Sequence, residues 1–327
     1  YLEGREVEVD AVSDGEDTLV AGVMEHVERA GVHSGDSFAV YPARNLLPDE
    51  ERQILAQTRA IAAALPVKGL LNIQFIVQQG NVYVLEVNPR ASRTVPFLTK
   101  VTGVPLVRLA VEIALGKTLR ELGHRDGLWP ASELVAVKAP VFSMAKLLDV
   151  DTHLGPEMKS TGEVLGVDTS FAPALWKALI AAGMAPQAEG AVLVTVADKD
   201  KDEAMPIIEG FHWLGYELVA TSGTATAIRK VGLAVREIKK IDEGSNAIIQ
   251  FIRSGTCAAV LNTPTLGRSV QRDGFLIRRA AVESRVPCLT SLDTAQAVVT
   301  ALRASAAGYS VAPLEEYRAR RAIAASA

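Results

Sequence analysis

The sequence predicts an α/β protein whose first part is α+β and whose last part is a parallel sheet covered by helices on both faces. Three observations carry this expectation. Residues 6–13 alternate polar and apolar with period two, the pattern of a strand with two different faces. Residues 70–78 and 82–88 read as a hairpin around Gln79-Gly80-Asn81, where glycine and asparagine tolerate the positive φ of a short connection. Beyond Ala191, short apolar runs alternate with helical stretches, as a doubly covered parallel sheet requires.

The elements follow in order. Asp14-Gly15 marks a turn, after which 18–27 continues as the antiparallel partner of the first strand. Pro48 opens a helix running to Leu65: Ile54, Leu55, Thr58, Ile61 and Ala62 recur at helical spacing, and Asp49, Glu50 and Glu51 favour its N-terminus. After the hairpin the pattern predicts a helix over 104–115, a strand over 134–141 and a helix over 171–182, while 154–168 reads only as loop. The stretch 183–190 is the expected boundary, giving parts 1–183 and 184–327. In the second part strands are expected at 191–197, 217–220, 234–237, 258–262 and 286–290. Helices are expected at 202–214, 248–254, 273–284 and 293–306, before a polar helical tail over 308–327.

At 327 residues the chain exceeds the length at which single cores stop growing, so two or more units are expected. With 49% hydrophobic and 22% charged residues, the composition excludes disorder for most of the length. Net charge is −4 with Lys and Arg scattered, which argues against nucleic acid as a partner. No apolar run reaches the roughly 18 residues of a membrane span. Cys257 and Cys288 lack metal-ligand spacing and sit in apolar runs, as expected of buried thiols in a reducing cytoplasm. The chain opens at Tyr1 without Met or a signal-like segment and reads as a piece of something longer.

The first chemical constellation lies on the hairpin. Glu86 and Asn88 are two apart on one strand and Gln74 is on its partner, so three oxygen donors share a face if the register pairs Gln74 with Glu86. A three-residue connection gives that register, together with Ile73–Val87, Phe75–Leu85 and Val77–Tyr83. A two-residue connection would set Gln74 opposite Leu85. One carboxylate with amide oxygens suits magnesium, and Arg90 and Arg93 just downstream supply planar cations for phosphoryl or carboxylate oxygens. On residue types alone, a solvated strand edge with a surface ion pair explains the group as well.

The strings NIQF and EVNPRASRTVPF, together with MEHVERAGVHSGD at 24–36 and LGPEMKSTGEVLGVD at 154–168, resemble the ATP-grasp enzymes, and among them the carbamoyl-phosphate synthase large subunits. The resemblance implies an ATP-grasp C-terminal lobe in which Gln74, Glu86 and Asn88 hold the Mg2+ or Mn2+ ions on ATP. It further implies that Arg90 and Arg93 contact phosphate or the carboxy intermediate, that Gly31, Val32, His33 and Ser34 line the nucleotide and reacting-carboxylate site, with His33 among the catalytic groups, and that Glu6 meets the ribose. K+ is a further expected ion. Read alone, Glu6 is a surface strand residue and the histidines are ordinary satisfied ones.

The second constellation follows the strand ending at Ala220, where Thr221-Ser222-Gly223-Thr224 opens a helix with two threonine hydroxyls and free amides, an end that attracts anions. Asn262, Thr265 and Arg268 follow another strand, and Lys201 and Lys240 stand near adjacent strand ends, which in a parallel sheet share one edge. Helix caps and turns account for any one of these loops. Together they resemble the Rossmann-like methylglyoxal-synthase-like regulatory domain of the same family, over 191–306. That implies a site for the phosphate and ribose of a nucleotide effector, UMP or IMP, made by Lys201, Thr221, Thr224, Lys240, Asn262 and Thr265, with Arg268 near. The family's THGT is TSGT here, with Ser222 in the histidine position. Ornithine activation is not carried over.

The resemblance implies pyrimidine and arginine biosynthesis, a glutaminase small subunit, a preceding portion of the large subunit and a homo-oligomer. It also implies that an earlier synthetase unit and the nucleotide-covering lobe lie outside this sequence, so the chain alone is expected to be inactive in synthesis. A second reading keeps it as a nucleotide-sensing and oligomerisation module with an inert ATP-grasp half.

Overall fold

The computed structural model describes residues 4–131, 133–146, 150–241, 243–264, 273–306 and 308–324. The chain packs as two compact units. Unit 1 takes Tyr1–Ala139, Leu165–Ala174 and Tyr309–Ala327; unit 2 takes Pro140–Val164 and Leu175–Gly308. The expected boundary at 183/184 falls within unit 2, and the tail from Tyr309 packs with unit 1.

The chain begins with strands β1 (Arg5–Ser13), β2 (Thr18–His26) and β3 (Ala39–Tyr41), helix α1 (Pro48–Ala64), the hairpin β4 (Gly69–Gln78) and β5 (Asn81–Asn88), and helices α2 (Thr94–Thr102) and α3 (Leu106–Ala114). Strands β6 (Gly127–Leu128), β7 (Val135–Val141) and β8 (Gly162–Asp168) follow. The sheet order is β5-β4-β1-β2-β3-β7-β8, with β6 beside β2. One face packs Val7, Val9, Val23, Ile73 and Phe75 against Ile54 and Ala62 of α1. At one end of the other face, Met24, Ala39 and Tyr41 meet Leu98, Val101 and Leu109 of α2 and α3.

Helix α1 starts as its sequence demands. Pro48 stands at the first turn with three acids behind it, and the Leu47 amide donates to Glu50 Oε2 at 2.9 Å. The helix expected over 104–115 is shorter, and α2 precedes it, because Gly103 takes φ 80° and closes α2 with a left-handed cap. The stretch read as loop carries β8 from Gly162 onward.

The hairpin corrects the expected turn while keeping the expected pairing. The connection is Gln79-Gly80 alone, with φ of 51° and 78°, and the strands start from Gln78–Asn81. Val77 therefore faces Val82 and Phe75 faces Val84, not Tyr83 and Leu85. The register then shifts between Gln74 and Phe75, so Leu85 is the extra residue of a bulge and Gln74 pairs with Glu86 after all. Without that extra residue Glu86 would face the α1 side.

Where β2 crosses behind Tyr41 there is no room for a side chain at Gly22: a Cβ would lie 2.5 Å from Tyr41 Cε2 and 3.2 Å from Leu98 Cδ2. Gly22→Ala is expected to lower unit 1 stability by about 2 kcal/mol through overpacking, seen as an earlier urea midpoint.

Helix α4 (Phe171–Ala182) leads to the second sheet. This consists of β9 (Ala191–Thr195), α5 (Lys201–Trp213), β10 (Glu217–Thr221), α6 (Ser222–Lys230), β11 (Arg236–Ile238), α7 (Ala247–Arg253), β12 (Cys257–Asn262), α8 (Asp273–Glu283), β13 (Cys288–Leu289) and α9 (Leu292–Ser305), before α10 (Leu314–Ala324). Its strands are ordered β11-β10-β9-β12-β13 and pair in parallel throughout. The Cys257 thiol is fully buried, and burial pushes it up to about 11, as its apolar setting suggested.

Candidate functional site

Glu6, Glu8 and Asp10 alternate along β1, so all three carboxyls project from the face opposite α1. They are 2%, 3% and 1% exposed, which overturns the surface reading of Glu6. Across the ladder, Gln74 stands opposite Glu8 and Asn72 opposite Asp10. One strand further, Glu86 stands opposite Gln74 and Asn88 opposite Asn72. The register thus lays carboxylates and amides on one face of three strands.

Buried carboxylates need cations or protons. Lys138 on β7, 1% exposed, places Nζ 3.4 Å from Glu8 Oε1 and donates to the Ser34 carbonyl at 3.1 Å. His26 lies between Glu6 (3.5 Å) and Glu8 (3.7 Å). Burial pushes Glu8 up, but the charge on Lys138 and the contacts with His26 and Thr94 outweigh it and hold its carboxyl below the usual range. Asp10 is pushed up to about 7 by burial and by the charge on Glu8, against hydrogen bonds from Ser92 and Asn72. Burial likewise raises Glu6. Burial pushes His26 down, yet its carboxylate neighbours Glu8 and Glu6 raise it overall. Burial and mutual repulsion thus oppose full ionisation of the three carboxyls, while Lys138 favours it at Glu8.

The predicted ligands sit at the edge of this layer. Gln74 Nε2 donates to Ser34 Oγ at 2.8 Å, tying the hairpin to the loop through Gly31, which takes φ 117°, and Val32. His33 Nδ1 accepts from the Gly35 amide at 3.0 Å, which leaves Nε2 as the ring nitrogen outside this bond. Asn88 Nδ2 donates to Glu86 Oε1 at 2.7 Å, and Arg90 Nη2 donates to Asn88 Oδ1 at 3.3 Å. Arg93 stands at the start of α2. Among the described residues no three His, Cys, Asp or Glu groups form a metal site by themselves; a cation held by Glu86 would need the amide oxygens of Gln74 and Asn88. One carboxylate and two amides have the donor chemistry of a hard divalent-ion site; the Asn88 oxygen faces Arg90 and its Nδ2 faces Glu86, so Asn88 would have to turn its oxygen from Arg90 to join such a set.

In unit 2 the second set gathers at the C-terminal ends of β9, β10 and β12. Lys201 Nζ pairs with Asp198 at 2.6 Å and would lie 3.3 Å from a Cβ at Gly223. Its hydrogen bond and charge, followed by the charge of Lys240, hold Asp198 below its ordinary value. Thr221 precedes α6. Thr224 Oγ1 accepts from the Val196 amide at 3.4 Å, and Asn262 Nδ2 donates to Thr195 Oγ1 at 2.6 Å. Thr265 and Arg268 lie outside the described residues. The sequence reading missed Glu8, Asp10, Asn72 and Lys138 in unit 1, and in unit 2 Thr195, Thr263, whose Oγ1 accepts from the Ala197 amide at 2.9 Å, and Arg278, which donates to Asn262 Oδ1. A lone lysine inside the apolar run VAVKAPV was the one signal available for the first group.

Residues 1–122 match the family described as "Carbamoyl-phosphate synthase L chain, ATP binding domain", and residues 203–290 match the "MGS-like domain". Proteins named carbamoyl phosphate synthase large chain match nearly end to end: that of Thermomicrobium roseum is 54% identical over 99% of this chain, and that of Thermoanaerobacter pseudethanolicus 52% over 97%. The chain belongs to the carbamoyl phosphate synthase large-chain family. It spans about 30% of the length of these relatives. A solved structure titled "Biotin Carboxylase domain of single-chain bacterial carboxylase" overlaps 55% of this chain and 47% of its own, at 18% identity and a TM-score of 0.42. For a large-chain segment, the carboxylate-amide face falls inside the ATP-binding match, and Thr221, Lys240 and Asn262 fall inside the MGS-like match.

Proposed function

We propose that residues 1–183 are the second lobe of the unit that phosphorylates carbamate to carbamoyl phosphate in a glutamine-hydrolysing synthase, and that residues 184–327 are its nucleotide-sensing domain. The observation that supports the first part is the Gln74–Glu86 pairing across the bulge, which puts the Gln74, Glu86 and Asn88 side chains on one face with Ser34 and Arg90 beside them. Magnesium or manganese bound there would neutralise charge on the ATP phosphates. Arg90 and Arg93 supply planar donors for oxygens of the transferring phosphoryl group or of the carboxy intermediate. Ser34 and His33 line the reacting carboxylate, oriented by Gln74 and by the Gly35 amide. Beneath them, Lys138 fixes the Ser34 carbonyl and holds Glu8 ionised.

In this reading the chain works with the rest of the large subunit and a glutaminase small subunit, as part of a cytoplasmic homo-oligomer serving pyrimidine and arginine biosynthesis. K+ is a further ion, and UMP and IMP act on unit 2. Calorimetry on the purified chain tests both halves. UMP is expected to bind, and no carbamoyl phosphate is expected from ATP, bicarbonate and ammonia. UMP binding with no response to ATP and magnesium favours the pure sensing module. Appreciable synthesis by the chain alone overturns the two-lobe argument.

A further inference from the structure

We infer that Arg278 is the positioning residue that fixes which way the Asn262 amide faces, so that the unit 2 cradle offers its ligand a hydrogen-bond donor at that position. The inference rests on the nucleotide reading of the cradle and deepens it.

Arg278 is 6% exposed. Its Nη1 donates to Asn262 Oδ1 at 2.7 Å, while Nε and Nη2 grip Asp151 Oδ1 and Oδ2 at 2.7 and 2.6 Å. A guanidinium has only donors, so the amide atom facing it must be oxygen. On the other side the Thr195 hydroxyl donates or accepts equally well and would accommodate either orientation, while the Thr195 carbonyl, an acceptor at 3.4 Å, favours the same orientation only through a long bond. Arg278, at 2.7 Å, is the closest group that sets the amide, and Nδ2 is turned toward Thr195, where a ligand acceptor would compete with the longer 3.4 Å bond to the carbonyl rather than with the 2.6 Å bond to Oγ1. Such a position selects an acceptor, a phosphate or ribose oxygen, over a donor.

Asp151 turns this from a charge into a direction. The two-point pair neutralises the guanidinium and holds its plane, so what reaches Asn262 is an oriented donor. The segment around Asp151 is braced for the purpose: the His153 amide donates to Asp151 Oδ1 at 3.1 Å, and Lys159 Nζ donates to the Asp151 carbonyl at 3.0 Å. Lys159 belongs to the stretch 154–168, which reads from the sequence alone only as loop. Gly274 keeps the space clear, since a Cβ there would fall 3.0 Å from Arg278 Nη1 and 3.7 Å from Asn262 Oδ1.

The test uses the full 327-residue chain, with UMP, IMP and inorganic phosphate titrated by calorimetry and the Asn262 side-chain amide followed by NMR. Arg278→Met is expected to weaken UMP binding by about tenfold, the loss that goes with one mis-set hydrogen bond. Gly274→Ala, whose Cβ presses on the guanidinium at 3.0 Å and reaches only ordinary van der Waals distance of Asn262 Oδ1 at 3.7 Å, should act in the same direction but less. Arg278→Lys, donor-only but unable to serve both partners, should recover part of the loss. In Arg278→Met and Gly274→Ala the Asn262 amide protons are expected to shift and exchange faster, which a merely structural role would not produce. Wild-type UMP binding with unchanged affinity and an unchanged Asn262 signal in folded Gly274→Ala overturns the inference and leaves the nucleotide reading standing. Failure of the wild-type chain to bind UMP, IMP or phosphate overturns the nucleotide reading and this inference with it.

Discussion

Lys138→Met is expected to cost unit 1 about 3 kcal/mol, because it strips a buried carboxylate layer of its cation. Glu6, Glu8 and Asp10 all lie on one buried face, and Glu8 is held ionised against its own burial first of all by Lys138. Methionine fills the space but leaves that charge with only His26 and the Thr94 hydroxyl beside it. The sign of the pH dependence follows from the lowered Glu8 value: the pair stabilises above the ordinary glutamate range, and this contribution disappears as the pH falls through the native value. The deficit should therefore be present at neutral pH and shrink on acidification. Urea unfolding measures it, and adding Glu8→Gln to Lys138→Met should recover more than half of the loss. A Lys138→Met chain that unfolds at the wild-type midpoint would mean that Glu8 is already protonated in the fold.

Glu86→Gln in the full-length large chain is expected to reduce ATP-dependent carbamoyl phosphate formation by about 10²–10³-fold, the range seen when one charge-stabilising group is removed from a transfer site. The amide keeps the shape and an acceptor for Asn88 Nδ2, but it withdraws the only carboxylate among the three predicted ligands. Phosphate and carbamoyl phosphate production, assayed against magnesium concentration, check this. Wild-type rates at all magnesium concentrations would remove Glu86 from the metal set.

The hairpin shows how far the sequence could be read. Gln74 was placed opposite Glu86 correctly, yet through a three-residue turn and partners that do not occur. Val82-Tyr83-Val84-Leu85 is apolar throughout, so alternation carried no mark of which residue is extra, and two errors of one residue cancelled. Period two marked β1 as a strand with two different faces but did not single out Glu8 and Asp10 or show that their face is covered; coverage comes from Lys138, distant in sequence. The start of α6 was legible because Thr221-Ser222-Gly223-Thr224 is a local signal. Arg278 was not, since its partners lie 16 and 127 residues away.

The segmentation of the units has a consequence for cooperativity. The chain leaves unit 1 at Ala139 and returns at Leu165, then leaves at Ala174 and returns at Tyr309 to lay Tyr317 into the core with Val101 and Val104. Unit 1 thus contains two closed loops, the second made of most of unit 2. Closure entropy rises only by about 0.6 kcal/mol for each doubling of loop length. Melting unit 2 would lengthen that tether without untying it, so α10 keeps nearly the same effective concentration at its seat while the rest of the excursion unravels.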